Sequence, residues 1–135
     1  MRNTASVENI GLALDQTPLP KSLGFQLDRK AILVRLQGDE ELFRDLVNLF
    51  AADTPQLICE ARHALACGDA NTLQRAAHTI KGSVSNFGAE PAVEAAWRLE
   101  QLGQSGNLSE GPGALKSMEA ALSAVEEELY RMIPS

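Results

Sequence analysis

The sequence predicts an all-α protein: an antiparallel up-down four-helix bundle with a short extra helix on its N-terminal side. Three observations lead there. Leu and Ala dominate while aromatic residues are only 4% of the chain, a bias against strands, which favour β-branched and aromatic side chains. Apolar residues recur at helical spacing in four long segments, with no alternating stretch to compete with them. Between the segments lie short breaks rich in Gly, Asp and Pro, and short connections fold consecutive helices back on one another.

Residues 1–25 have weak periodicity and carry Pro18 and Pro20. They read as a linker or a loosely packed arm, with a short helical turn near Val7–Leu14; packing of this arm on the domain stays an open alternative. The bundle is assigned to residues 26–133. In "DRKAILVRLQG", Asp28 can cap a short first helix and Gly38 can stop it. The next segment, Asp39 to Gly68, places Leu42, Phe43, Leu46, Val47, Leu49, Phe50, Leu57, Ile58, Ala61 and Leu65 at helical spacing. Pro55 falls inside it, and one helix bent at the proline is expected. Gly68 ends that helix and Asp69 caps the third, which runs to about Asn86, with Gly88 in the position of a left-handed stop. Pro91 opens the fourth helix, where a missing N–H costs nothing. Its stripe is Ala92, Ala95, Ala96, Leu99 and Leu102. "GQSGNLSEGPG", Gly103 to Gly113, reads as a loop. The last helix carries Leu115, Met118, Leu122, Val125, Leu129 and Met132 as core.

The bulk numbers exclude several functions. At 135 residues the chain is the size of one domain. Its formal charge of −6 is opposite to the basic footprint that phosphate backbones require, so nucleic acid is not an expected partner. No apolar run approaches the roughly 20 residues that span a bilayer, and the first twenty residues lack the pattern of a signal peptide. A cytoplasmic protein without membrane insertion is expected. Cys59 and Cys67 lie two turns apart on one helix, too far to bridge each other, and are expected to be buried small hydrophobes in a reducing compartment. With His63 and His78 the only histidines and no Cys-x-x-Cys pair, no metal site is expected.

The third helix holds the candidate site. At about 100° per residue, Leu73, Ala77, Ile80, Val84 and Phe87 share one buried stripe. His78 points roughly 140° away from it and Gly82 about 180° away. Lys81 lies one turn from His78, and Ser85, Arg75 and Asn71 continue the same outer side. A glycine within a helix costs about 1 kcal/mol relative to alanine. Because Gly82 faces outward, packing inside the bundle does not account for it. What it provides is clearance beside the imidazole, and Lys81 adds a mobile cation for an anion. Spacing alone leaves two readings open: a phosphoryl-accepting histidine, or an inert surface histidine on a helical adaptor.

The stretch "HTIKGSVSNFGA", His78 to Ala89, resembles the signature of histidine-containing phosphotransfer domains of multistep two-component signalling. That signature has a His, a Lys three residues on, a Gly four on and a second Gly ten on, matched by His78, Lys81, Gly82 and Gly88. The likeness extends through "LDRKAILVRLQGDEELFRDLVNLFAADTPQ" upstream and "WRLEQLG" downstream, covering roughly Phe25 to Met132. Val84 and Phe87 stand where Ser and Leu are commoner in the family; both fall on the core stripe and are expected to alter packing rather than transfer.

The resemblance implies a four-helix bundle whose His78 is phosphorylated on Nε2 and relays the phosphoryl group between aspartates of receiver domains. Lys81 then lies beside the phosphoryl group, Gly82 keeps the docking surface open, and Glu100 on the neighbouring helix holds the imidazole Nδ1. Asn71, Gln74, Arg75, Gly82 and Ser85 would form the docking surface. The implied partners are receiver domains of response regulators and of a hybrid sensor kinase, with the protein itself a monomer. The chain has no Gly-rich phosphate loop and no carboxylate cluster for magnesium. It is therefore expected to be a phosphocarrier and not an enzyme, without cofactor or ATP binding, the Mg²⁺ coming from the partner. The paired helices of a sensor kinase also present a histidine, but an acidic residue usually follows it. Thr79 follows here, and there is no room for a nucleotide-binding domain.

Overall fold

The computed structural model describes residues 27–133, so the readings of the arm at 1–25 lie outside the described residues. It contains five helices: α1 (Arg29–Arg35), α2 (Glu40–Cys67), α3 (Ala70–Ser85), α4 (Glu90–Ser105) and α5 (Gly111–Met132). There is no strand among the described residues. Each long helix packs on its neighbours in the chain, and α5 closes back onto α2. This is the up-down four-helix bundle, with α1 as the extra element.

Local chemistry sets the boundaries. Asp28 accepts hydrogen bonds from the backbone N–H of Lys30 and Ala31 and starts α1. Asp39 does the same for α2 through Leu42 N–H, and Asp69 for α3 through Thr72 N–H. Gly68 closes α2 in the left-handed region at φ 72°. Proline at the first turn opens both α4 and α5. Pro55 is exposed, and α2 runs through it as one helix. Its ring faces water, so the lost hydrogen bond frees a carbonyl that solvent can satisfy.

α1 covers the end of the bundle where α2 and α4 begin and α3 finishes. Ile32 enters the core, Arg29 pairs with Glu40 at 2.7 Å and lies over the Phe43 ring, and Arg35 Nη1 donates to the Ser85 carbonyl at 3.3 Å. Inside that end, Phe87 packs edge-on against Phe43 and Phe50, with ring centroids 6.4 and 5.9 Å away. The α3 stripe of Leu73, Ala77, Ile80, Val84 and Phe87 is buried as its periodicity requires.

Two expectations are corrected. The stretch from Gly103 to Gly113 is not all loop: α4 continues through Ser105 and α5 starts at Gly111, leaving only Gly106–Glu110 between them. Gly103 is a site of close approach. A Cβ there would sit 2.8 Å from Gln74 N and 2.9 Å from Ala70 O, so only glycine lets α4 lie this tightly on α3. Gly111 likewise leaves room for the Leu65 side chain. Second, Cys59 and Cys67 are exposed, not buried; the inward face of α2 at that end is taken by Ala61 and Ala64. Within α2, Leu42 and Leu49 share the helical spacing but stay 40% and 56% exposed, because Phe43, Val47 and Phe50 take the inward positions.

Candidate functional site

The α3–α4 seam positions the site. Small residues on α4, namely Ala92, Ala96 and Gly103, are fully buried or nearly so and bring the two helices together. Glu100, on the flank of the same α4 face, is thereby carried to the side of α3 that bears His78. Its carboxylate Oε2 lies 2.8 Å from His78 Nδ1, and its Oε1 lies 2.7 Å from Lys81 Nζ. Side-chain exposure grades across the three groups: 67% for His78, 26% for Lys81 and 11% for Glu100. A buried anion thus anchors two more exposed cationic or cation-forming groups. Oε1 and the Lys81 ammonium form a close ion pair on the other edge of the carboxylate.

Burial pushes the Glu100 carboxyl up, but the Lys81 ammonium and the His78 ring outweigh it and hold the group below the ordinary carboxylate range. An ionised carboxylate can only accept, so Nδ1 carries the proton of this hydrogen bond. In the neutral ring Nε2 then holds the free lone pair. Among the described residues Nε2 of His78 makes no hydrogen bond.

The other expected residues divide. Gly82 is exposed, and a Cβ there would meet nothing within 4 Å. The space beside His78 is therefore open. Asn71 and Arg75 are exposed on the same helix, whereas Gln74 is half-buried under the Gly103 crossing. Ser85 is also half-buried, with its hydroxyl donated to the Lys81 carbonyl at 2.7 Å. At the start of α3, the Thr72 hydroxyl donates to Asp69, and this hydrogen bond, helped by the Thr72 N–H, holds the Asp69 carboxyl below its usual range and fixes the cap.

Sequence reasoning missed two neighbours of the site, Arg35 and Trp97. Trp97 carried a signal: it lies on α4 well away from the stripe of Ala92, Ala96 and Leu99, yet is large and apolar. Arg35 carried none, since its place depends on how α1 docks. Among the described residues no group of three or more His, Cys, Asp and Glu side chains could hold a metal ion. None of the described helices is long and apolar enough to cross a membrane.

Fold and site together define a helical bundle built around one surface imidazole that is anchored from behind by a carboxylate of the next helix. The Hpt domain family profile matches residues 45–128, more than half of the chain, and the chain belongs to that family. Hpt domains are phosphocarriers rather than catalysts, and histidine phosphotransfer is their chemistry. The chain is also similar to histidine-containing phosphotransfer protein B (HptB) from Pseudomonas aeruginosa PAO1. With that crystal structure it shares 26% identity and a TM-score of 0.72, over 79% of this chain and 93% of the other. Comparison with curated proteins gave no match.

Proposed function

We propose that this protein accepts a phosphoryl group on His78 Nε2 from a receiver-domain aspartate and passes it to the aspartate of another receiver. The observation that carries the reading is the two-thirds exposed imidazole whose Nδ1 is hydrogen-bonded to buried Glu100. The Nε2 lone pair attacks phosphorus in line, the bond to the aspartyl oxygen breaks, and the electron pair leaves with the carboxylate. The ring becomes a phosphorylated imidazolium that keeps its Nδ1 proton. Glu100 balances the new positive charge, which keeps the proton and the ring orientation fixed through the step. Lys81 is placed to leave Glu100 for the phosphoryl oxygens. Charge stabilisation beyond that single cation comes from the partner, which supplies the Mg²⁺. Gly82 admits the receiver, and Asn71, Gln74, Arg75 and Ser85 flank the approach. The carrier works as a monomer in the cytoplasm, between a hybrid sensor kinase and a response regulator, and does not use ATP itself.

The test is transfer from radiolabelled phospho-receiver domains to the purified chain. Wild-type protein should be labelled, His78→Gln should not, and both should keep the same helical circular dichroism. Incubation with ATP alone should label neither. Label on His78→Gln would refute the assignment.

A further inference from the structure

The surface beside the phosphoacceptor pair is grooved. A cleft of ≈ 520 Å³ begins at Lys81 and Ser85 on α3 and is walled by Val93 and Trp97 of α4. It is contiguous with the His78 site, because Trp97 stands three residues before Glu100 on the same helix. Trp97 is half exposed, a large apolar surface left in water one turn before Glu100 on α4. Arg35 of α1 closes the far end. It donates to the Ser85 carbonyl at 3.3 Å and lies against Gly88, where a Cβ would approach its Nη2 to 3.2 Å. Exposed Glu90 and Glu94 form an acidic rim on the α4 side.

We infer that this α1–α3–α4 cleft is a docking subsite for the receiver domain and takes an aliphatic side chain whose neighbour one turn away is basic. The inference rests on the proposed function. A receiver placed to deliver phosphorus to Nε2 covers Lys81, and Lys81 is the mouth of the cleft. Tryptophan and arginine are the residue types that most often dominate binding energy at interfaces, and they do so as pre-ordered anchors around an apolar pocket. Lys81 and Arg35 line the α3 and α1 walls, so the charge is divided: on the α4 rim Glu90 and Glu94 favour a basic side chain placed over them and repel an acidic one. The cleft thus extends recognition from the α3 face, which every partner must touch, to a surface that distinguishes among them.

Trp97 is the single tryptophan of the chain, so its fluorescence reports the site directly. The full chain is titrated with a tryptophan-free receiver domain already shown to exchange phosphoryl groups with it. The expected result is a blue-shifted emission and reduced acrylamide quenching at saturation, the same with His78→Gln, where docking proceeds without chemistry. Trp97→Ala should raise the KM for that receiver about tenfold with kcat retained. Glu94→Lys, a surface change with no packing role, should raise KM in the same way. Unchanged emission at saturation, or an unchanged KM in both variants, overturns the cleft assignment. Failure of wild-type protein to accept label from any receiver overturns the phosphorelay reading itself, a different outcome.

Discussion

The chain has two histidines, His63 and His78, both exposed on long helices, but their rings are held differently. His63 Nε2 meets Cys67 Sγ at 3.4 Å within the same helix, between two solvated side chains four residues apart. His78 meets a buried carboxylate of another helix at 2.8 Å. A contact at i,i+4 forms on any helix and is released by turning one side chain. A cross-helix contact requires two helices locked in register, and water does not easily replace a buried acceptor. Exposure is common to both rings. The distinguishing property is that one nitrogen of His78 is tied to the interior while the other stays at the surface.

The largest expected effect breaks this contrast outright. His78→Gln should abolish phosphoryl uptake, and His63→Gln should leave the rate of transfer from the same phospho-receiver at its wild-type value. Next comes the anchor. Glu100→Ala should lower the transfer rate about 10²-fold, the scale of loss for a misplaced reacting group, with helical content kept. A wild-type rate would show that the ring needs no orientation from α4.

Two glycines sharpen the contrast between surface and seam. Gly82→Gln should slow receiver-dependent transfer about tenfold by obstructing docking, and should leave thermal stability equal or slightly raised, since glycine costs a helix about 1 kcal/mol. Gly103→Ala should lower stability and slow transfer together. Its Cβ would press on the backbone of α3 at 2.8 Å, and such overpacking costs about 1–3 kcal/mol, read as a fall in Tm. A stable Gly103→Ala with normal transfer would mean that the α3–α4 spacing is not what carries Glu100 to His78.

The smallest effect is the pH dependence of the anchor. Because the folded-state pKa of Glu100 is depressed, the stability from its ionised form is complete above the ordinary value of 4.5 and is lost as pH falls through the lower folded value. The Tm difference between wild type and Glu100→Gln should therefore shrink as the pH is lowered from 4.5 through the folded value. A difference that grows on acidification would contradict the sign.

Most of the fold was legible because its signals are local. Caps at Asp28 and Asp69, the stop at Gly68 and the α3 stripe each need only a few neighbouring residues, and the periodicity put His78 outside. What was not legible depends on how helices meet. Gly103 looks like a helix breaker in one dimension and is a contact point in three. Cys59 and Cys67 are exposed because alanines fill the inward face of α2. Leu49 keeps a core spacing but loses its place to larger neighbours. The family resemblance, and not the helix pattern, supplied Glu100, because its approach to His78 is set by the register between α3 and α4. The cleft at Trp97 and Arg35 needs three helices in place, and nothing along the chain joins those residues.

The arrangement in which one carboxylate serves two partners has an electrostatic consequence. With a neutral ring, the charges of Lys81 and Glu100 cancel, and the resting patch has no net sign. Phosphorylation of His78, as proposed above, would add a dianionic group, offset only in part by the imidazolium, and the patch would become negative. The empty carrier thus presents an electrically quiet face and the loaded carrier an anionic one. Added salt, which screens exposed charges over about 10 Å at 0.1 M, should change the association rate of the loaded form with a metal-loaded receiver more than that of the empty form. The two states of the carrier are then distinguished by long-range field as well as by the covalent bond.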